Sequence, residues 1–377
     1  MIKALMCGTI LVATSLPALA VQTKAPAAPK SAITVQSIAK GLNHPWGLQF
    51  LPDGRTVVSE RAGPIRIVGR DGTISPPIAG VPAADVRGQG GMLDVALAPD
   101  FVTSGMLFFS FSEPRGASRN GTSVGRGRLV LSSNGGRLED VKIIFQQDPP
   151  FASTMHFGSR FVFDRSGNLF VTTGDRYSAR NEAQNPANHL GKVIRITPDG
   201  GVPADNPKLP GWRPEIWSIG HRNGQAAALH PETGKLWTVE HAARGGDEVN
   251  VPAKGKNYGW PIITYGRDYS GLKIGEGTAK AGLEQPIYYW DPSPAPSGAA
   301  FYTGELFPGW KGNLLVGALA GQALHRLVLD GEQVVAEEVL LKDQARIRDV
   351  RQGPDGAVWL LTDDPQGEVL RVAPAGR

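Results

Sequence analysis

One recurring pattern constrains this chain more than any other feature of its sequence. A stretch of alternating apolar and polar residues leads into a turn of the Pro-Asp-Gly type, and a second alternating stretch rich in β-branched and aromatic residues follows. Period-two alternation puts one face of a strand in a core, and the turn residues supply the reversal, so each copy predicts a β-hairpin. Six copies occur, at Trp46–Glu60, Leu93–Phe111, Arg160–Thr173, Ala226–Glu240, Ala299–Leu319 and Asp349–Thr362.

Hairpins that recur about every 45 to 75 residues predict an all-β chain, folded as a six-bladed β-propeller with four antiparallel strands in each blade. Radial packing would then bury both faces of every sheet. A large β-sandwich is the alternative fold, but it explains the regular recurrence less well. The wider spacings leave room for insertions between Asp175 and Trp217 and between Tyr258 and Gly298, and long propeller loops usually carry function.

The first twenty residues predict the compartment. Lys3 is followed by an apolar run to about Thr14, and Ala18 and Ala20 offer small residues where a signal peptidase cuts. The run is shorter than the ~20 residues of a membrane-spanning helix, which favours a secretory signal over a membrane anchor. We therefore expect a periplasmic or secreted protein, cleaved near Ala20, with a flexible lead-in over residues 21–32 and one propeller domain over residues 33–377.

Composition excludes several kinds of chemistry. The single cysteine, Cys7, lies inside the predicted signal, so the mature chain has no disulfide, thiolate metal site or cysteine nucleophile. Loss of Lys3 with the signal lowers the formal net charge from +4 to +3, which is too mild to indicate a nucleic-acid partner. No P-loop and no dinucleotide-binding glycine motif occurs, so nothing predicts nucleotide binding.

Two residues of the third hairpin are candidates for acid–base chemistry. His156 stands just before this hairpin and Asp175 just after it. A neutral imidazole accepts a proton from a hydroxyl group at ordinary pH, and a carboxylate could orient the ring. A structural turn histidine and a turn-capping aspartate remain the alternative.

Several cations and amides lie at the starts of other hairpins. Arg222 and Asn223 precede the fourth hairpin, and Arg346 and Arg348 alternate along a strand, so both of their guanidinium groups point to the same side. Such a pair repels unless an anion lies between its members. Together with Arg222 it predicts a pocket for a polyanion, and an exposed arginine-rich face is the alternative.

Two further stretches are less specific. The glycines that flank Gln89 permit close approach of the backbone to another group, although a tight turn between blades would need them as well. Glu248, Tyr258 and Asp268 lie on glycine-rich loops, and scattered oxygen ligands of this kind suit Ca²⁺. A solvated acidic loop is the alternative interpretation.

Taken in order, these residues resemble the soluble quinoprotein glucose dehydrogenases and aldose sugar dehydrogenases, the glucose/sorbosone dehydrogenase family. The resemblance covers most of the mature chain, from about Leu42 to Val372. It rests on seven stretches, at residues 88–91, 156–175, 220–223, 246–248, 257–261, 295–297 and 346–349.

The resemblance implies a six-bladed propeller that holds pyrroloquinoline quinone (PQQ) and calcium and oxidises the anomeric hydroxyl of an aldose to a lactone. His156 would be the general base, with Asp175 in support. The implied PQQ contacts are Gln89, Arg222, Asn223, Arg346 and Arg348. The implied calcium ligands are the carbonyls of Ala242 and Ala243 at the cofactor, and Glu248, Tyr258, Asp268 and Glu284 at a structural site. An unidentified electron acceptor and a monomeric or homodimeric state complete these expectations.

The chain departs from the family pattern at two places beside the implied cofactor. Ala242 and Ala243 stand where Gly-Pro is usual, and Ala320 stands where a lysine that contacts the quinone is expected. Two other functions therefore stay open, because fold alone does not decide function. One is a metal-dependent propeller hydrolase of sugar lactones, which the paired arginines disfavour. The other is a non-catalytic carbohydrate- or protein-binding propeller that has lost its cofactor, which the alanines favour.

Overall fold

The computed structural model of the protein describes residues 23–376, so the predicted signal peptide lies outside the described residues. Regular structure is nearly all β-strand. The helical elements are a short α-helix at Phe101–Ser104 and 3₁₀ turns at Arg180–Gln184 and Pro308–Trp310. Among residues 23–376, no helix combines the length and the apolar character needed to cross a membrane.

The strands form six antiparallel sheets, each of which is one blade. The first strand is β1 (Ile33–Leu42), and blade one follows with β2 (Pro45–Phe50), β3 (Thr56–Glu60) and β4 (Ile65–Val68). Blade two contains β5 (Met92–Leu97), β6 (Met106–Pro114), β7 (Asn120–Ser132) and β8 (Gly135–Gln146). Blade three contains β9 (Gly158–Phe163), β10 (Leu169–Thr173), β11 (Lys192–Ile196) and β12 (Ile216–Ile219).

The second half of the chain repeats this order. Blade four contains β13 (Gly224–Leu229), β14 (Leu236–Glu240), β15 (Asp247–Asn250) and β16 (Tyr288–Trp290). Blade five contains β17 (Pro296–Phe301), β18 (Leu314–Ala318), β19 (Ala323–Asp330) and β20 (Gln333–Leu340). Blade six contains β21 (Ile347–Gln352), β22 (Val358–Thr362) and β23 (Gly367–Pro374).

Blade six is completed by the start of the chain. β1 pairs antiparallel with β23, from Ile33 opposite Pro374 to Leu42 opposite Gly367, so the two ends of the domain are joined in one sheet. The first strands of the blades (β2, β5, β9, β13, β17 and β21) contact one another in sequence and around to the start, which closes a ring. The predicted six-bladed propeller is confirmed.

Blade one differs from its neighbours. It contains three strands, whereas each of the other sheets has four, and a single bridge from Val68 to Ile74 stands at the position of the fourth strand. The six predicted hairpins form the first two strands of the six blades.

The hydrophobic core lies between blades. Each of the six neighbouring pairs shares a cluster of buried side chains, such as Leu48, Val58 and Leu361 between blades one and six. The other clusters join blades one and two, two and three, three and four, four and five, and five and six. Side chains that alternate along each strand are therefore buried on both faces of a blade, as radial packing requires.

The described part of the expected flexible lead-in packs against blade five. Ala27 forms a parallel bridge with Glu337 of β20, and the Ser31 hydroxyl lies 2.9 Å from a carboxylate oxygen of Glu338. Hydrogen bonds to an edge strand explain why a stretch rich in Ala, Pro and Lys takes one course along the surface.

The ring also determines where polar residues meet. His156, Asn223 and Arg346 each stand one or two residues before the first strand of a blade, whereas Asp175 and Asp363 follow second strands. The two strands of a hairpin are antiparallel, so the start of the first strand and the end of the second lie at the same end of the propeller. These residues therefore share one mouth of the central channel.

Candidate active site

A polar cavity at this mouth, called here the arginine-lined cavity, measures about 300 Å³. Its walls come from all six blades, and the side chains used below are Arg61, Gln89, Asn223, Gln225, Arg346 and Arg348. Trp46 and Phe157 add aromatic surface. The cavity thus combines guanidinium and amide donors with flat apolar walls.

Asp363 lies between two arginines, Arg348 of β21 and Arg346 just before that strand. Its Oδ2 is 2.8 Å from Nη2 of Arg348 and 3.3 Å from Nη2 of Arg346. His44 contributes a third contact, 2.8 Å from Oδ1. These partners outweigh burial and hold the pKa of Asp363 far below its usual range. The shared face predicted for the two arginines is present, and part of the expected anion is a carboxylate of the chain itself.

The cavity nevertheless keeps an excess of positive charge. Arg61, Arg346 and Arg348 face one carboxylate, so these side chains leave a formal surplus of two positive charges. Nε of Arg348 is buried and has no hydrogen-bond partner among residues 23–376. A buried donor without a partner costs about 1–3 kcal/mol or more when charged, so an anionic ligand with several acceptors would match this cavity.

The amides of the cavity tie it to the neighbouring histidine. The side-chain oxygen of Gln89 accepts the backbone N–H of His156 at 2.8 Å, and that of Asn223 accepts the N–H of Gly158 at 3.0 Å. Oxygens that are used in this way leave the two NH₂ groups as the available donors.

A second cavity of about 260 Å³ adjoins the first, because His156 lines it while the next residue, Phe157, lines the arginine-lined cavity. We call it the histidine-lined cavity. The two long insertions supply much of its wall, including Tyr177, Arg180, Trp260, Asp268 and Tyr269. Arg222 completes the side towards blade four.

His156 and Asp175 form a buried pair in this wall. Nδ1 of the imidazole lies 2.6 Å from Oδ1 of the carboxylate, and the side chains are only 5% and 1% exposed. A carboxylate at Nδ1 holds the proton there and leaves Nε2 as the basic nitrogen. Burial lowers the pKa of His156 below its ordinary 6.5, and the hydrogen bond to Asp175 opposes part of that effect.

The backbone around the pair is strained. His156, Arg176 and Tyr177 have φ values of 52°, 60° and 66°, in the left-handed region that residues other than glycine rarely occupy. Each such residue costs of order 1–3 kcal/mol and persists only where its surroundings hold it. Arg176 is held by its guanidinium, which lies 3.7 Å from the ring centre of Phe157.

The implied calcium ligands separate into two groups. Ala242, Glu248 and Tyr258 line a small cavity behind Arg222, together with Glu240, which we call the acidic cavity. Ala243 lines the histidine-lined cavity instead. The Tyr258 hydroxyl is engaged by the backbone, since it accepts the N–H of Ala253 at 3.0 Å.

Asp268 and Glu284 do not join that group. Asp268 lies beside the histidine-lined cavity, 3.3 Å from Nη1 of Arg180, and Glu284 forms a 2.9 Å ion pair with Lys256. Within residues 23–376, no three His, Cys, Asp or Glu side chains lie close enough together to hold a metal ion. Any calcium site here would need backbone or amide oxygens.

The acidic cavity does offer such oxygens. Glu240 and Glu248 are directly opposite each other on β14 and β15, and Nδ2 of Asn250 donates to both, at 3.0 and 3.2 Å. Desolvation and the neighbouring Glu240 raise the pKa of Glu248 well above its ordinary value. Oδ1 of Asn250 is buried and has no partner among the described residues. This donor set suits a hard cation.

The two departures at Ala242 and Ala320 have counterparts elsewhere in the structure. The backbone N–H of Ala242 donates to Oδ1 of Asp247 at 2.8 Å, while Oδ2 accepts the N–H of Ala295 at 3.0 Å. Asp247 thus fastens the loop that lacks a proline. Ala320 contributes no positive charge to the arginine-lined cavity, but Arg61 of blade one lines the same cavity and carries one.

Beneath the arginine-lined cavity, a charged network fills the channel. Nη1 of Arg160 lies 3.1 Å from Asp94 and 2.9 Å from Asp349, and its Nη2 donates to the carbonyl of Arg348 at 2.8 Å. Arg351 pairs with the same two carboxylates, at 2.8 and 2.9 Å. Blades two, three and six are joined here, and the contact with the carbonyl of Arg348 links the network to a residue that lines the cavity.

Sequence reasoning missed several residues of the site. Asp363 ends the sixth hairpin as Asp175 ends the third, and Gln225 follows Asn223 at the spacing that shares a strand face, so both left a signal. Arg61 and Trp260 carried none, because their roles depend on contacts with other blades. Glu240 was missed although it faces Glu248 on the neighbouring strand of the same blade.

The channel mouth of this six-bladed propeller thus joins a buried His–Asp pair to an arginine-lined cavity. The chain belongs to the glucose/sorbosone dehydrogenase family, whose sequence model matches residues 42–371. The family resemblance drawn from the motifs is thereby confirmed.

Known relatives agree with this assignment. The aldose sugar dehydrogenase YliI of Escherichia coli (strain K12) is 44% identical over 348 residues, which cover 91% of this chain and 93% of the relative. The crystal structure of a glucose dehydrogenase superposes with a TM-score of 0.87 at 49% identity, covering 90% of this chain and 99% of that one. The PQQ-bound aldose sugar dehydrogenase of Streptomyces coelicolor has a TM-score of 0.75 at 28% identity, covering 92% and 100%. These relatives support an oxidoreductase that acts on sugars.

Proposed function

We propose that the protein oxidises the anomeric hydroxyl of aldose sugars to the lactone, with PQQ as the hydride acceptor. The observation that carries the proposal is the His156–Asp175 pair, 2.6 Å apart, beside a cavity with surplus arginine charge. His156 would take the hydroxyl proton on Nε2, and Asp175 would stabilise the imidazolium that forms. A solved relative with PQQ bound and high fold similarity supports the choice of cofactor.

The arginine-lined cavity fits the cofactor by its chemistry. PQQ is a flat tricarboxylate, and when bound it supplies the two-electron acceptor for the sugar. Arg346, Arg348 and Arg61 would hold its carboxylates, while the amides of Gln89 and Asn223 would donate to its remaining oxygens. Trp46 and Phe157 offer flat surface. An electron acceptor that is still unidentified would then return the cofactor to its oxidised state.

The direct test is reconstitution. The purified protein is mixed with PQQ and Ca²⁺, its absorbance spectrum is recorded before and after glucose, and dye reduction is followed on a panel of aldoses. A quinone band that bleaches with sugar, together with turnover, supports the proposal. Absence of both quinone binding and turnover contradicts it, and hydrolysis of a lactone without PQQ would favour a propeller hydrolase.

Arg61 should replace the lysine that is missing at Ala320. We expect Arg61→Gln to weaken PQQ binding about ten-fold, the worth of one charge-assisted hydrogen bond of about 1.4 kcal/mol. Isothermal titration of PQQ into the protein measures this without any turnover. Arg70→Gln is the control, because Arg70 belongs to the same blade and is exposed. Equal affinities for both variants and the wild type would contradict the role of Arg61.

We also propose that Ca²⁺ binds the acidic cavity. Added Ca²⁺ should stabilise the wild type by up to about 2.7 kcal/mol at a hundred-fold excess over its Kd, and Glu248→Gln should abolish most of that gain. Glu284→Gln is the matched control, because Glu284 pairs with Lys256 at 2.9 Å. Thermal unfolding with and without Ca²⁺ gives the answer. Loss of the gain in the Glu284 variant, with retention in the Glu248 variant, would place the ion elsewhere.

Export to the periplasm remains a proposal from the N-terminal sequence. It is supported by the apolar run before Ala20, and N-terminal sequencing of the secreted fraction tests it. A first residue other than Val21, or retention in the cytoplasm, would contradict it.

A further inference from the structure

The Trp260 side chain reaches the carboxylate that holds the proposed base. Nε1–H of the indole donates to Oδ2 of Asp175 at 2.7 Å, and Trp260 is 7% exposed. The other oxygen, Oδ1, lies 2.6 Å from Nδ1 of His156 and accepts the backbone N–H of Tyr177 at 2.8 Å. Both oxygens of the carboxylate are therefore occupied, and only Trp260 holds Oδ2 among the described hydrogen bonds.

Trp260 is itself held from three directions. Its backbone N–H donates to the carbonyl of Gly220 at 3.0 Å, and its carbonyl accepts Nε2 of Gln184 at 2.7 Å. The guanidinium carbon of Arg222 lies 5.3 Å from the ring centre. The indole thus belongs to a fixed loop, and it contacts both the Arg222 guanidinium and the Asp175 carboxylate.

This geometry limits how Asp175 can turn. The torsion that rotates a carboxylate about its Cβ–Cγ bond is broad, so a carboxylate held at one oxygen can tilt away from its partner. A base must stay within about 0.5 Å and 10–20° of its productive position. A donor on Oδ2 fixes the carboxylate plane, and that plane sets the direction of the His156 ring.

From these contacts we propose that Trp260 is a positioning residue for the base, acting through Asp175 to set the orientation and basicity of His156. The inference rests on the proposed sugar oxidation for its meaning in catalysis. The contact itself does not depend on any cofactor. Its effect on His156 passes through the Asp175 carboxylate.

The charges around His156 determine the sign of the effect. The titratable groups nearest to it are Asp175, Arg176, Tyr177, Arg222 and His241. Arg180, Asp268 and Tyr269 line the same cavity. The indole N–H draws charge from the Asp175 carboxylate. Its removal leaves more negative charge towards Nδ1–H of His156, which favours the imidazolium, and it frees the carboxylate to rotate.

Trp260→Phe tests the proposal, because phenylalanine keeps a ring against Arg222 and removes the donor. We expect the pKa of His156 to rise by about 0.5–1 unit. A pH titration monitored by ¹⁵N–¹H correlations of the histidine rings measures this pKa in the purified protein without added quinone. With PQQ, kcat should fall about ten-fold, while KM for the sugar changes less than about two-fold.

The chain provides a matched control. Nε1–H of Trp290 donates to Oε1 of Glu337 at 2.8 Å, and Nδ1 of His325 lies 2.6 Å from the same oxygen. This trio has the same chemistry as Trp260, Asp175 and His156 but lies between blades four and five. Trp290→Phe should leave the pKa of His156 and the kinetic constants unchanged.

An unchanged pKa of His156 in a folded Trp260→Phe variant would overturn the proposal, as would a loss of kcat equal to that of Trp290→Phe. If the phenylalanine variant does not fold, benzothienylalanine at position 260 keeps the shape of the indole without its N–H, and the same outcomes apply. Absence of turnover in the wild type would contradict the sugar oxidation alone, since the His156 titration does not need the cofactor.

Discussion

Replacing His156 with glutamine should reduce kcat for aldose oxidation by about 10³-fold, the largest effect expected from any single change at the site. A positioned general base contributes about 10²–10⁴-fold, and glutamine occupies similar space without a basic nitrogen. Steady-state dye reduction with saturating PQQ measures the loss. PQQ affinity should stay within about three-fold, because His156 lines the histidine-lined cavity.

His325→Gln provides the comparison. His325 is also buried, and its Nδ1 also lies 2.6 Å from a carboxylate oxygen, that of Glu337. This variant should retain the wild-type kcat. Wild-type turnover in the His156 variant would show that His156 is not the base, and an equal loss of turnover in both variants would indicate damage to the fold.

The pH dependence of the wild type should reflect the same residue. Burial lowers the pKa of His156 from 6.5, so the imidazole is neutral at pH 7 and the base is available. As the pH falls through this lowered pKa, protonation of Nε2 should remove activity. We expect the acid limb of the kcat profile below pH 6.5. An acid limb above that value would assign the base to another group.

The second large effect concerns stability. Arg160→Met should lower the free energy of unfolding by about 3–5 kcal/mol, the cost of removing one partner from a buried ion pair. The Arg160 side chain is 3% exposed and lies within 3.1 Å of Asp94 and 2.9 Å of Asp349. Methionine would leave Arg351 alone to balance two buried carboxylates.

Denaturant unfolding followed by tryptophan fluorescence measures this change. Arg126→Met is the control, because Arg126 pairs with Asp199, whose side chain is 77% exposed, and exposed pairs contribute about 0–1 kcal/mol. Adding Asp94→Asn to Arg160→Met should recover part of the loss, since it removes one of the uncompensated charges. A loss below about 1 kcal/mol for Arg160→Met would mean that the channel network does not hold the blades together.

Much of the fold was predictable from local pattern. The six hairpins were visible because alternation and turn residues act over about ten neighbouring positions, and each became the first two strands of a blade. The three strands of blade one and the packing of residues 24–31 on β20 were not visible, because pairing at a sheet edge depends on partners far along the chain.

The site was predictable to a smaller extent. His156 with Asp175, and Arg346 with Arg348, were identifiable as pairs because each pair belongs to one hairpin, so their proximity follows from short sequence separation. The family resemblance grouped Asp268 and Glu284 with Glu248 at one calcium site, yet the structure places them with Arg180 and Lys256. Their loops are long, and sequence spacing does not determine the path of a long loop.

The sequence alone determined the six hairpins, the family and the residue types at the hairpin ends, because these depend on local periodicity and on motif order. Only the tertiary structure decided which of those ends meet. Trp260 reaches Asp175 across 85 residues, and Arg61 of blade one and Ala320 of blade five line the same cavity. Each of these contacts exists because the first strands close into a ring, and ring closure brings together residues that no local pattern connects.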